Sequence, residues 1–288
     1  MIDTHAHIDD PQYADQLDAF IRDQQQAGVE CIIVPGVNDD SIASVDAVCR
    51  QFPGYLLPAA GLHPEEVRED YRLRLDRIRR ALMQPSVTPY IAVGEIGLDY
   101  HFDTTYRTEQ QDAFRIQLQW AAELDLPVII HSRDATEDTL RIVREQMVNG
   151  QMVHDQMVNA QMVHDQMVHG TCPNGKCLGV FHCFSGSYET ARQILDLGFC
   201  LGIGGVITFK NCRLRDQLVP ADGRPAIPLD RLVLETDAPY MAPVPFRGRR
   251  NESRWMTYVV DTLAAAYNLP AQTIIDVTSR NARTLFRL

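Results

Sequence analysis

The sequence predicts an α/β protein folded as one (β/α)8 barrel. Three observations carry this reading. Eight short apolar runs recur along the chain, polar helix-like stretches separate them, and 288 residues suit a single barrel domain. The runs are nearly continuous in apolar residues rather than strictly alternating, the mark of strands buried on both faces in a parallel sheet.

In order, the expected strands are "MIDTHAHI" at 1–8, "CIIVPGV" at 31–37, "LLPAAGLH" at 56–63 and "YIAVGEIGL" at 90–98. They continue with "PVIIHS" at 127–132, "GVFHCFS" at 179–185, "CLGIGGVITF" at 200–209 and "LVLETDA" at 232–238. Between the fourth and fifth, "TEQQDAFRIQLQWAAELD" at 108–125 sets Phe114, Leu118, Ala121 and Ala122 on one helical face. Segment 253–286 supplies the last one or two helices. The interval between the runs at 127 and 179 is longer than the rest. It holds "QMVNG QMVHD QMVNA QMVHD QMVHG", tandem pentapeptides at 146–170. A five-residue step turns ~140° around a helix and flips faces in a strand, so neither element buries the Met-Val pairs. The repeat therefore reads as an inserted, largely exposed expansion, a loop or a ragged extension of the preceding helix, in a single domain spanning 1–288. The unequal spacing of His154, His164 and His169 argues against a metal-binding tract. "CPNGKC" at 172–177 reads as a turn, since no second Cys or His pair stands nearby.

Composition narrows the function. No apolar run approaches the ~18 residues of a membrane span. The first twenty residues carry five aspartates and no apolar core, unlike a secretory signal, so the expected location is cytoplasmic. The cysteines are seven, scattered and odd in number, which suits packing rather than a disulfide frame. A net charge of −11 argues against a broad basic surface for duplex DNA but leaves room for a local phosphate site.

Ligand-type residues fall at the predicted C-terminal ends of five strands: His5 and His7, Glu95, His131, His182, and Asp237. In a parallel barrel these ends open onto one rim, where active sites sit. Alternation points His5 and His7 the same way. Burying two carboxylates and four imidazoles together is costly unless a cation joins them. The donor set suits Mg²⁺, Mn²⁺ or Zn²⁺, and six protein ligands match two ions sharing one carboxylate, for which Glu95 is the natural bridge.

With "DTHAHID", "GLHPEE", "GEIGLDY", "IIHSRDA", "HCFSGS", "ETDAPYMAP" and "RGRRNE" in that order, the chain resembles the TatD family of metal-dependent deoxyribonucleases over nearly its whole length. "RNES" stands where the family usually has "RNEP", and the pentapeptide repeat is foreign to the family pattern. The resemblance implies two divalent ions, Mg²⁺ commonly. His5, His7, Glu95 and Asp237 would surround one, and Glu95, His131 and His182 the other. It also implies phosphodiester hydrolysis on DNA, often from the 3′ end.

Further residues carry paired readings. His63 is a donor to the scissile phosphate or a cap for the next helix. Arg133 is a phosphate clamp or a partner of Asp134 or Glu137. Arg250, with Arg247, Arg249 and Arg254, is a phosphate-attracting patch or a solvated loop. Glu235 braces the site or belongs to a buried ion pair, Cys183 is packing, and Tyr100, His101 and Phe102 offer a base an aromatic surface or cover the mouth. Asp237 and Glu95 are the expected catalytic carboxylates, with Asp237 accepting the proton of the attacking water. The expected substrate is single-stranded DNA or a fraying end. The competing functions are hydrolysis of small amides, esters or phosphoesters, and non-catalytic metal binding.

Overall fold

A computed structural model describes residues 1–85, 88–148, 177–221, 224 and 226–288. The strands are β1 Ile2–Asp3, β2 Cys31–Pro35, β3 Leu56–Ala60, β4 Ala92–Asp99, β5 Val128–Arg133, β6 Gly179–Phe181, β7 Cys200–Ile203 and β8 Leu232–Leu234. They pair in parallel in sequence order. The ring closes beyond the regular ends of β1 and β8. Thr4 N donates to Leu234 O at 3.0 Å, Asp237 N to His5 O at 2.9 Å and His7 N to Ala238 O at 2.7 Å. This is a TIM barrel, as the apolar runs predict.

The main helices are α1 Leu17–Gln26, α2 Ser41–Gln51, α3 Tyr71–Met83, α4 Arg107–Leu124, α5 Thr136–Val148, α6 Tyr188–Asp196, α7 Met256–Tyr267 and α8 Ala271–Phe286. No helix among the described residues is long and apolar enough to cross a membrane. On α4 the predicted face is buried at Phe114, Leu118 and Ala121, while Ala122 is only partly covered. Two buried glutamines on α4 brace the strand ends. Gln110 Oε1 accepts Asp99 N at 3.0 Å, and Gln117 Oε1 accepts Leu62 N at 2.7 Å. Inside the barrel, Ile2, Ile33, Ala59, Ile129, Val180 and Val233 form one apolar cluster, with Leu285 and Phe286 of α8 packed at its floor. The centre of the barrel is therefore filled, and its chemistry is confined to the mouth.

Several regular strands are shorter than the apolar runs. The run at 1–8 keeps two strand residues, and the run at 200–209 turns into a 3-10 helix at Gly205–Thr208. Near the mouth, side chains take over from the ladder. Asp3 accepts the main-chain N–H groups of His5 at 3.2 Å and Thr236 at 3.0 Å, and the Thr236 hydroxyl at 2.6 Å. The repeat starts inside α5: Gln146 and Met147 are buried in its last turn, as an extension of that helix would place them. The repeat from 149 onward lies outside the described residues, as do residues 172–176 of "CPNGKC".

Candidate metal centre

Glu95 sits at an irregularity in β4. Pairing with β5 runs Val93 to Val128 and then Ile96 to Ile130, so β4 carries one residue more than β5 there. Such a bulge re-aims a side chain. Two places down the strand, Gly97 has a φ of 146°, and a Cβ there would strike the carbonyl oxygen of His131. Glycine thus lets β4 and β5 approach where each presents a site residue.

The Glu95 carboxylate divides its two oxygens. Oε2 lies 3.2 Å from His5 Nε2 and 3.8 Å from His7 Nε2. Oε1 lies 2.6 Å from His182 Nε2, 3.0 Å from His131 Nδ1 and 3.4 Å from His63 Nε2. Asp237 Oδ1 closes the first half, 3.7 Å from His5 Nε2 and 3.8 Å from His7 Nε2. The imidazoles of His5 and His182 stack with centroids 4.1 Å apart. The structure thus brings all six expected ligands into one pocket. They fall into interlocking ligand-like groups: His5, His7 and Asp237; His5, Glu95 and His182; and His63, Glu95 and His131. Placement differs from the expectation in detail. His131 lies within β5, and β4 runs four residues past Glu95 to Asp99. His5, His7, His182 and Asp237 lie just beyond their strands.

Burial opposes ionisation of Glu95, yet the surrounding His182, His63, His5 and His131 hold its carboxyl well below the usual range. Burial opposes charge on His182 too, but the Glu95 carboxylate pushes its imidazole up to about 10. Burial and the neighbouring His182 push His5 down to about 3. Burial raises Asp237. Four imidazoles and two carboxylates, with the buried Glu95 between the imidazoles, make a donor set that divalent ions fit.

His63 is oriented by a main-chain bond. Nδ1 accepts the main-chain N–H of Glu65 at 3.1 Å, capping the turn Pro64–Glu66. The other nitrogen, Nε2, faces the Glu95 carboxylate at 3.4 Å.

Asp99 was not foreseen in the sequence. Its Oδ2 lies 2.8 Å from His131 Nε2, which turns Nδ1 toward Glu95. The signal was available, because Glu95, Gly97 and Asp99 share one face of β4. Asn251 was also missed as an individual residue. Fully buried, it donates to the carbonyls of Thr236 at 2.8 Å and Tyr240 at 2.7 Å and so braces the loop that carries Asp237. Its part of "RNE" therefore holds protein main chain. Glu235 is fully buried, accepts the main-chain N–H of Cys183, and lies 3.9 Å from His182 Nδ1. Cys183 has a φ of 49° and lies past the end of β6, so strand alternation does not apply to it.

The arginines separate. Arg133 stands at the rim with its guanidinium 4.6 Å from the Phe102 ring centroid, while Asp134 pairs with His101. Arg250 is committed elsewhere. It lies over Tyr13 at 4.8 Å and donates to Gln12 O at 2.6 Å. Arg254 pairs with Glu252 and Asp23, and Arg247 stacks on Phe209. The expected basic patch is thus mostly occupied in packing.

A profile of the TatD-related DNases matches residues 2–287. The chain belongs to the TatD-related DNase family. It is accordingly a metal-dependent hydrolase. Among TatD relatives, the uncharacterized metal-dependent hydrolase YabD of Bacillus subtilis is 34% identical, the match covering all of this chain and 99% of YabD. The 3′–5′ ssDNA/RNA exonuclease TatD of Erwinia billingiae is 29% identical over all of this chain and 99% of its own. The crystal structure of YjjV, a TatD homologue from Escherichia coli, superposes with a TM-score of 0.80 at 31% identity, covering all of this chain and 98% of that one.

Proposed function

We propose that this hydrolase cleaves phosphodiester bonds in single-stranded DNA or fraying DNA ends, removing nucleotides from the 3′ end. The observation that carries the reading is the division of Glu95, one oxygen toward His5 and His7 and the other toward His131 and His182. A carboxylate so placed suits the bridge of two divalent cations, Mg²⁺ first, with Mn²⁺ or Zn²⁺ as alternatives. His5, His7 and Asp237 would complete one site, and His131 and His182 the other. The naming of the Erwinia billingiae relative supports the substrate and polarity. A cytoplasmic location suits cysteines among which no disulfide is formed in the described residues.

Bound divalent cations supply a Lewis acid for the phosphoryl oxygens and bring the pKa of water toward neutrality. The chain's own groups do the rest. Asp237, with its carboxyl raised by burial, accepts the proton of the attacking water. His63 Nε2–H donates to a phosphoryl oxygen, and Arg133 at the rim pairs with another. Asp99 fixes the His131 ring, and Glu235 stands behind His182.

The test is incubation of 3′- or 5′-labelled oligonucleotides with protein stripped by EDTA, followed by addition of Mg²⁺, Mn²⁺ or Zn²⁺. A ladder recessing from the 3′ end, restored by metal, is expected. Cleavage of small esters or amides with intact oligonucleotides would overturn the reading.

A further inference from the structure

The chain has ten Phe, ten Tyr and two Trp, and all of them lie among the described residues. Only two of these side chains are exposed, Phe102 at 70% and Tyr240 at 54%. Both stand at the mouth, each three residues beyond a carboxylate of the centre. Phe102 follows Asp99 on the β4 side, and Tyr240 follows Asp237 on the β8 side. Strands β4 and β8 are four apart in a ring of eight, so the two residues stand on opposite walls of the mouth.

Each ring is displayed on fixed backbone. Tyr240 N donates to Asp237 O at 2.8 Å, its carbonyl accepts Asn251 Nδ2 at 2.7 Å, and its ring centroid lies 6.3 Å from that of His7. Beside Phe102, His101 N donates to Asp99 Oδ1 at 2.8 Å and the His101 ring pairs with Asp134 at 2.7 Å. The Arg133 guanidinium covers Phe102 at 4.6 Å. Phe102 also lines a pocket with Pro64, Glu65, Arg68, Asp99, Asp103 and Tyr106, next to the His63 and His131 half of the centre.

We propose that Phe102 and Tyr240 are the stacking platforms for the two nucleobases that flank the scissile phosphate, one on each wall of the mouth. The inference rests on the phosphodiesterase reading above and names the feature of the substrate that the site selects. Stacked bases of one strand lie ~3.4 Å apart along the axis. Platforms on opposite walls take bases splayed away from each other, which a paired duplex does not offer. Selection of single strands then follows from the site rather than from charge, in keeping with an acidic protein. Base–aromatic stacking tolerates any sequence and is worth ~5- to 150-fold per base in binding.

The test uses the metal-loaded full chain and single-stranded oligonucleotides whose terminal phosphodiester is flanked by natural nucleosides or by an abasic tetrahydrofuran residue on one side or the other. The wild type should lose ~5- to 150-fold in kcat/KM at each abasic position. Phe102→Ala and Tyr240→Ala should lose as much on the natural strand. Each variant's loss should fail to add to the loss from one of the two abasic positions. Phe102→Trp and Tyr240→Phe should keep wild-type kcat/KM, whereas Phe102→Leu, apolar but not planar, should behave as Phe102→Ala. Full additivity of variant and abasic losses, or a wild type indifferent to abasic residues, would overturn the platforms while leaving phosphodiester hydrolysis in place. Failure of the wild type to cut any of these strands would instead remove the phosphodiesterase reading beneath them.

Discussion

Asp99 holds His131 by its outer nitrogen: Oδ2 lies 2.8 Å from Nε2, leaving Nδ1 turned to Glu95 at 3.0 Å. A carboxylate behind a metal-facing imidazole fixes the tautomer and raises the basicity of the inner nitrogen. Asp99→Asn keeps the shape but weakens that hold. Metal affinity or turnover should fall ~10- to 100-fold, with circular dichroism unchanged. Wild-type metal binding and turnover in this variant would mean that Asp99 only packs the strand.

Loading the centre should release a proton. Burial disfavours charge on His182, but Glu95 pushes the ring up to about 10, so the metal-free protein carries it protonated at neutral pH. Cations take the neutral ring, so binding expels the proton, and apparent affinity rises with pH through the neutral range until His182 loses its proton unaided near 10. Metal titrations in two buffers of different ionisation heat should show net proton release, reduced in His182→Ala. Proton uptake, or an affinity independent of pH, would contradict this.

Asp237→Asn removes the group assigned to take the water proton. Turnover should fall by ~10²- to 10⁴-fold, and the acidic limb of the pH–rate profile should change with it. A profile of unchanged shape at lower amplitude would assign the base elsewhere.

The repeat should be dispensable from residue 149 onward. Connections from a helix to the next strand lie on the barrel face away from the chemistry, and loop entropy grows only with the logarithm of length. Replacing 149–170 by a short Gly-Ser join should leave activity per bound metal intact. A deletion that starts at Gln146 also removes Met147, which is buried in the core, and should cost ~2–5 kcal/mol by denaturant titration. A hundredfold loss of activity in the shorter deletion, with the fold intact, would put the repeat near the site.

The barrel and the six ligand-type residues were legible because both depend on pattern. Buried parallel strands write continuous apolar runs, and histidines and acids at their ends break those runs visibly. Asp99 escaped notice because it closes such a run as one more polar residue at a strand end. Its bond to His131 depends on a register that β4 shifts by one residue at Glu95. For His63 only the structure shows which ring nitrogen caps the turn Pro64–Glu66 and which faces Glu95. The partners of Arg250 were not legible, because charge in a sequence does not reveal that a guanidinium is stacked on Tyr13. The aromatic residues behaved likewise: which two of them remain exposed to solvent is a property of packing.

The central claim is that Glu95 joins two cation sites, and counting metal per chain tests it most directly. Elemental analysis after loading with Mn²⁺ or Zn²⁺ and removal of excess should give about two ions per chain for the wild type. Glu95→Gln, isosteric but unable to neutralise either ion, should lose both together and with them nearly all hydrolysis. A wild type that binds a single ion, or a Glu95→Gln variant that keeps two ions and full turnover, would contradict the bridge.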